Sequence, residues 1–541
     1  MSTPAIDRLG QARDAAAREA WSEAYELLRA HDAHPSRALT AADLMTLADA
    51  AWWSGHVDES VAARLRAHAA YVAGGDHRGA GLASWWLHHE YKGLGRPAAA
   101  AGWLHRAHHH LDDLPLCPEQ CFVAWTDAEE ATARGDHASA LAAIRRMTGL
   151  AVRSGGPDLL ALSRQAEASV LLARGRRAEG FAQLDEAMRA VTAGELSGMF
   201  TGLLYCLAID LCMRSADLGR AVEWTNAAME WCSPPWTGRR PAEPPPLGVT
   251  PSGENPFRGV CRAHRVAVLD LLGAWALAEA EARQACREVS VDCLESAAAA
   301  YYTAGDVQRR QGRLEEAAAS YAHAHELGRI PQPGLALLRL AQGRAEAAVA
   351  GVGLALACDS GHDLLGRARL LAARTEVALA VGDVPGAAGA AAELEVLAGG
   401  VPLLRAMADT ARGAVALAES RPEPARRLLR RALGGWLGLG VPYEAARVRV
   451  RLASAGDGAE ALRELSAARA VFERLGAVPD ALRAAALLTD PVVGGRSALP
   501  RPAVAGGRSA LPRPVVGNRS AGAERVGTTD PRPAGARGSR A

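Results

Sequence analysis

The chain has 541 residues, 49% hydrophobic, 22% charged and 5% aromatic, and its excess of Ala, Leu and Arg favours helix because these side chains lose least on entering one. Lys92 is the only lysine and is followed by Gly93 with no Gly-rich turn before it, which excludes a GxxxxGK[ST] phosphate loop and, elsewhere, lysine Schiff-base chemistry. The formal net charge of +1 is the sum of unlike parts: from Pro491 onward nine Arg stand against Glu524 and Asp530, a net +7 that leaves the remainder at about −6.

In chain order, the first twenty residues carry Asp7, Arg8, Arg13, Asp14, Arg18 and Glu19, which no signal-peptide core tolerates. No apolar run, Ala347 to Ala357 being the longest, reaches the roughly 18 residues of a membrane helix. Nine cysteines, an odd number, argue for reduced thiols. A soluble, cytoplasmic protein is expected. A frame Gly-x4-Ala-x3-large-x2-Ala then recurs, as Gly95, Ala100, Leu104, Ala107; as Gly135, Ala140, Ile144, Met147; and as Gly312, Ala317, Tyr321, Ala324. Related copies start at Gly55, Gly175, Ala216, Gly273, Gly343, Gly382 and Ser420, so successive starts lie 40, 40, 40, 41, 57, 39, 31, 39 and 38 residues apart.

A small residue at the turn lets one helix end and the next begin, and small residues at the fifth and twelfth places let two antiparallel helices approach. Such pairs must stack on their neighbours to bury what they expose alone. Pro331-Gln332-Pro333-Gly334 punctuates two copies, Pro breaking the helix and Gly turning the chain. The Pro-rich stretch 233–257 explains the spacing of 57 and divides an N-terminal array, 1–232, from a C-terminal one, 258–490. The tandem GGRSALPRP copies after Asp490 predict a disordered basic tail over 491–541.

In the copy at Gly312, residues Tyr301, Gly305, Gly312, Ala317, Tyr321 and Ala324 resemble the tetratricopeptide (TPR) pattern, with Pro331 near its closing proline. The resemblance implies an all-α, right-handed TPR-like α-solenoid. Three phrases, AHELGRIPQPGLALLRLAQGRAEAA from Ala324, the stretch from Phe200 to Cys232 and that from Phe257 to Cys286, are similar to the TPR-type sensory region of actinobacterial LuxR-type transcriptional regulators. That likeness covers about residues 10–490. It implies a regulatory role, but where the family continues into a DNA-reading helix-turn-helix this chain has GGRSALPRP, so specific DNA binding is not expected.

The cluster His105, His108, His109, His110, Cys117 and Cys121 offers zinc-type ligands, yet its spacing matches no known zinc site, and it reads as a polar helix face with small core cysteines. No cofactor is expected, nor catalysis, since no nucleophile elbow or dinucleotide fingerprint is present. In a TPR-like stack the position six before each turn faces the concave groove: Asp49, His89, Glu129, Ser169, Asp210, Ala267, Asp306, Leu337, Glu376 and Ala414. Trp85 and Trp125 stand four places earlier in their helices, and Trp52 shares the face of Asp49. Aromatics among carboxylates suit a peptide or a cationic ligand. The expected ligand-binding set is therefore Asp49, Trp52, Trp85, His89, Trp125, Glu129, Asp210 and Asp306, in a non-enzymatic regulatory scaffold that takes a protein or small-molecule partner. Alternative readings are a regulator that contacts DNA through its basic tail or a partner subunit, and an enzyme.

Overall fold

The computed structural model describes residues 7–34, 38–233, 255–289, 293–359, 361, 363–456 and 458–489. The chain falls into two compact units, Met1–Arg501 and Pro502–Ala541, and every described residue belongs to the first. Of the expected Pro-rich loop only Ser233 and 255–257 are described, and the expected tail, 491–541, lies outside the described residues.

Among the described residues there are 25 helices and no strand. They form pairs: α1 (Arg8–Ala17) with α2 (Trp21–Asp32), α3 (Ala41–Trp53) with α4 (Val57–Ala73), α5 (His77–Gly93) with α6 (Pro97–Leu111), and α7 (Gln120–Ala133) with α8 (His137–Ser154). The fifth to eighth pairs are α9 (Pro157–Ala173) with α10 (Arg177–Thr192), α11 (Gly198–Arg214) with α12 (Leu218–Cys232), α13 (Phe257–Leu271) with α14 (Trp275–Glu288), and α15 (Leu294–Gln311) with α16 (Leu314–Glu326). The rest are α17 (Gly334–Ala341) with α18 (Ala345–Cys358), α19 (Leu364–Val381) with α20 (Val384–Ala398), α21 (Pro402–Ala418) with α22 (Pro422–Gly438), α23 (Pro442–Ala455) with α24 (Gly458–Leu475), and a last helix, α25 (Val478–Thr489). Stacked in chain order, these pairs make an all-α solenoid.

Each start of the sequence frame is the left-handed residue that ends a first helix. At Gly95 (φ 68°) the Gly95 N–H reaches the Lys92 carbonyl and the Arg96 N–H reaches that of Tyr91, a Schellman cap that satisfies two orphan carbonyls. Ala216 and Ser420 hold the same conformation, φ 57° and 58°, without glycine's freedom. The places that follow are core: Ala140, Ile144 and Met147 are 0%, 2% and 0% exposed. Two copies escaped the sequence reading. Glu19 (φ 55°) turns α1 into α2 and is followed in register by buried Ala24 and Leu28, and Gly456 is followed by buried Ala461, Leu465 and Ala468. The punctuation at Gly334 has a packing reason, because a Cβ there would lie 2.5 Å from the Tyr321 hydroxyl.

First helices of successive pairs touch one another, as α7 does α9 and α13 does α15, while second helices chiefly touch the first helices that flank them. Elements nearer the axis of a superhelix are closer together, so the first helices line the inside. The winding is tight. The Gly198 N–H at the start of α11 donates to Glu19 Oε1 in the first turn, 3.1 Å away and 179 residues earlier. Trp52 and Trp53, ending α3, meet Phe257, opening α13, at ring centroids of 5.4 and 5.8 Å. Leu294 lies against Gly95, Pro479 against Gly312, and Trp275 against Tyr443 at 5.1 Å.

Each of these contacts joins the turn of one pair to the opening of the first helix five pairs later. At the sixth turn the spacing is four pairs, since α11 and the turn at Ala216 pack against α19. Four to five pairs therefore complete a superhelical turn, and one turn stands on the next with a rise near the length of a first helix, about 25 Å for 17 residues at 1.5 Å each. Along these seams the concave face is the inside of a walled tube. No helix among the described residues is long and apolar enough to cross a membrane.

Candidate functional site in the lumen

With four or five first helices per turn, each is rotated by roughly 70–90° from the next, so only a narrow strip of each faces the lumen. The residue six before the turn lies on that strip, and one four places earlier is rotated by about 40° into the wall. Trp85 and Trp125, expected in the groove, are accordingly 1% and 2% exposed. The Trp85 indole N–H donates to Thr126 Oγ1 at 3.0 Å, and its ring packs on Phe122 at 4.6 Å. They are core between pairs, which corrects the expectation of open aromatic anchors. Trp52 is part of the seam with Phe257.

Two of the expected carboxylates are spoken for within the wall. Asp49 accepts a 2.7 Å bond from Arg64, whose guanidinium is buried and also binds Glu90 at 2.8 Å. Asp306 is buried and accepts from the Tyr321 hydroxyl at 2.8 Å and from Arg309 at 3.1 Å. The other two, Glu129 and Asp210, lie with His89 around Lys92 on one stretch of lumen. The His89 ring stacks on Trp85 at 4.6 Å, and burial, aided by Lys92, pushes its imidazole down to about 3. Its Nδ1 is buried without a hydrogen-bond partner in the described chain. Glu129 makes no hydrogen bond or ion pair among the described residues, and its carboxyl is pushed up by burial, with Lys92 and Arg214 pulling it back and Asp210 adding to the rise. Asp210 pairs with Arg214 on its own helix at 2.7 Å.

A second stretch was missed. Burial pushes the Glu376 carboxyl up, but Arg447, its ion-pair partner, and Arg451 outweigh that and hold it at about 2. Arg451 forms no hydrogen bond or ion pair among the described residues, and burial followed by Arg447 pushes it down. Arg310 reaches across to Asp270 at 2.5 Å. Glu376 stood in the inward register, but both arginines belong to the pair whose turn at Gly456 went unread. The lumen thus offers unpaired acidic oxygen at one level and an unpaired guanidinium at another.

The histidine and cysteine cluster does not come together. His108 bonds Asp112 at 3.0 Å and Asp127 at 3.2 Å, while Cys117 and Cys121 are buried in core. Among the described residues no group of three or more His, Cys, Asp or Glu is placed to hold a metal.

No protein-family model matches the chain, and no curated protein does. Among solved structures it is similar to the APC/C hetero-tetramer Cut9-Hcn1, at 12% identity over 87% of this chain and 95% of that one, with a TM-score of 0.38. It is also similar to yeast Tom70, at 12% identity over 90% and 97% of the two chains and a TM-score of 0.30. The TPR domain of P58(IPK) follows, at 11% identity over 82% and 97%, with a TM-score of 0.22. The architecture rests on the helix pairs and turns described above.

Proposed function

We propose that the chain is a non-enzymatic regulatory scaffold, cytoplasmic and of LuxR-type regulator lineage, whose lumen receives a protein or peptide partner through a cationic group. The observation that carries this reading is Glu129. A carboxylate kept unpaired where burial disfavours its charge gains most from a cation brought to it, because the desolvation cost is already met in the free chain. Asp210 would extend the same acidic level. A cationic small molecule would use the same oxygens.

The test compares the full chain with Glu129→Gln and Asp210→Asn as baits, with captured proteins quantified by mass spectrometry. The expected result is a loss of about tenfold or more in one specific partner for each variant, with neither variant melting below the native chain. An unchanged captured set in both variants rejects the reading. DNA binding should be weak and salt-sensitive, and should vanish on deletion of 491–541, since Arg-rich segments hold phosphates without reading bases.

A further inference from the structure

The C-terminal turn of the lumen is bridged by a polar chain. Glu376 on α19 holds the inward register, and Arg447 on α23, two pairs further along, reaches it at 2.5 Å. First helices two pairs apart stand roughly 140–180° around the bore, so this ion pair spans the opening. The inward residue of the helix between them, α21, is Ala414, whose small side chain leaves the room. Arg447 also lies 5.8 Å from the Tyr443 ring centroid, and Arg310 on α15 lies 5.3 Å from the same ring while it binds Asp270 on α13 at 2.5 Å. Helices α13, α15, α19 and α23 are thereby tied through one network.

The carboxylates nearest the α23 end of this bridge are all engaged. Glu376 and Glu444 take Arg447, the latter at 3.2 Å, and Asp480 accepts from the Tyr443 hydroxyl at 2.8 Å and from Arg483 at 3.4 Å. Arg451 stands one helical turn beyond Arg447 on the same face of α23. It is partly buried and makes no hydrogen bond or ion pair among the described residues. A planar fork of donors is thus held in a confined space without an acceptor. Burial, followed by the charge of Arg447, pushes its guanidinium down, a strain that a bound anion relieves. An oxyanion brought there forms the bidentate pair that no carboxylate of the chain supplies, and the guanidinium is already desolvated in the free chain.

We propose that Arg451 heads an anion-binding site in the lumen and takes a carboxylate or phosphate group, gripping two of its oxygens in parallel hydrogen bonds. Arg447 adds positive charge on the approach while it keeps Glu376. Glu129 belongs to the fourth pair and Arg451 to the twelfth, so the site stands apart from the acidic level and does not rest on the reading given to it. The same oxygens are offered by a free small anion and by the C-terminus of a peptide.

Isothermal titration calorimetry on the full chain, at fixed ionic strength, tests this with inorganic phosphate, with N-acetyl-trialanine carrying a free carboxyl terminus, and with the same peptide amidated. The native chain should bind at least one of the two anions at a single saturable site with a Kd of about 1 mM or tighter, and should not bind the amide. Binding of phosphate alone assigns a free anion, and binding of the peptide acid assigns a chain terminus. Arg451→Gln should weaken the binding roughly tenfold or more, since hydrogen bonds to a charged group are lost. Arg430→Gln, which removes an arginine paired with Glu460 on the outer helices, should leave it unchanged. Glu376→Gln releases Arg447 as a second donor and should tighten the same binding about threefold or more, a gain that unfolding cannot imitate. Absence of saturable binding by either anion overturns the proposal, as does equal affinity in the native and Arg451→Gln chains. So does an amide that binds as well as the acid.

Discussion

Arg64 stands at the ninth place of its frame, where other pairs carry Leu104, Leu184, Leu429 or Leu465, so Arg64→Leu fits the space and removes only the charge. Its side chain is 1% exposed, binds Glu90 (5%) at 2.8 Å and Asp49 (35%) at 2.7 Å, and lies 4.7 Å from the Trp86 ring centroid. Without it Asp49 can return to water, but Glu90 is left buried with only the Ser60 hydroxyl, 2.7 Å away, as donor. Breaking one side of a buried pair costs about 3–5 kcal/mol. Arg66 is the control, since it binds Asp32 through two 2.7 Å bonds with side chains 51% and 23% exposed, and pairs at such exposure are worth about 0.2–1 kcal/mol. Hydrogen exchange should show protection of α4 and α5 amides falling by roughly two to four orders of magnitude in Arg64→Leu and by less than about one in Arg66→Leu. Adding Glu90→Leu to Arg64→Leu should restore most of it. If Arg64→Leu costs no more than Arg66→Leu, burial is not what sets the strength of this pair.

Three further outcomes are expected. Phe257→Ala empties a seam shared by Trp52, Trp53 and Trp231, and should cost about 3–5 kcal/mol while exposing amides at the end of α3 as well as in α13; exchange confined to α13 would show that the turns are not joined there. Glu129→Gln removes a carboxyl whose folded pKa is raised, so the cost of its charge is absent below the unfolded value and fully present above the folded one. Thermal melts should therefore show the variant more stable than the native chain at pH 8 and equal to it at pH 4, and the reverse order would contradict the site. Ala140→Trp forces a ring into a fully buried position on α8 and should cost about 3 kcal/mol or more, read as lost protection in α7 and α8, whereas a neutral effect would mean those helices have room.

The turns and the outer-helix core were readable because both depend on local rules: a left-handed cap tolerates few residue types, and a helix packed on its neighbour repeats its buried places. Glu19 was invisible because its side chain is neither small nor flexible in backbone preference, and its register becomes clear only through Ala24 and Leu28. The groove fared differently. Asp49, His89 and Glu129 share one register in the sequence, yet Asp49 meets Arg64 15 residues on in the next helix, His89 stacks on Trp85 of its own helix, and Glu129 pairs with nothing among the described residues, a difference set by what neighbouring helices bring to each level. Trp85 and Trp125 were misplaced by a rotation of about 40°, which periodicity cannot resolve without knowing how many pairs make a turn. The seams join positions 168 residues apart, as from Trp275 to Tyr443, and no spacing rule reaches that far.

A coil whose turns already touch has the mechanics of a close-wound spring. An open solenoid stretches from the first piconewton, because only the bending of its helix stack resists. Here the rings of Trp53 and Phe257, and of Trp275 and Tyr443, must part before the turns can separate. Pulling on the two ends should meet a threshold force and then a softer regime, and pushing should meet helix ends set against helix starts. Any partner that widens the lumen works against that preload.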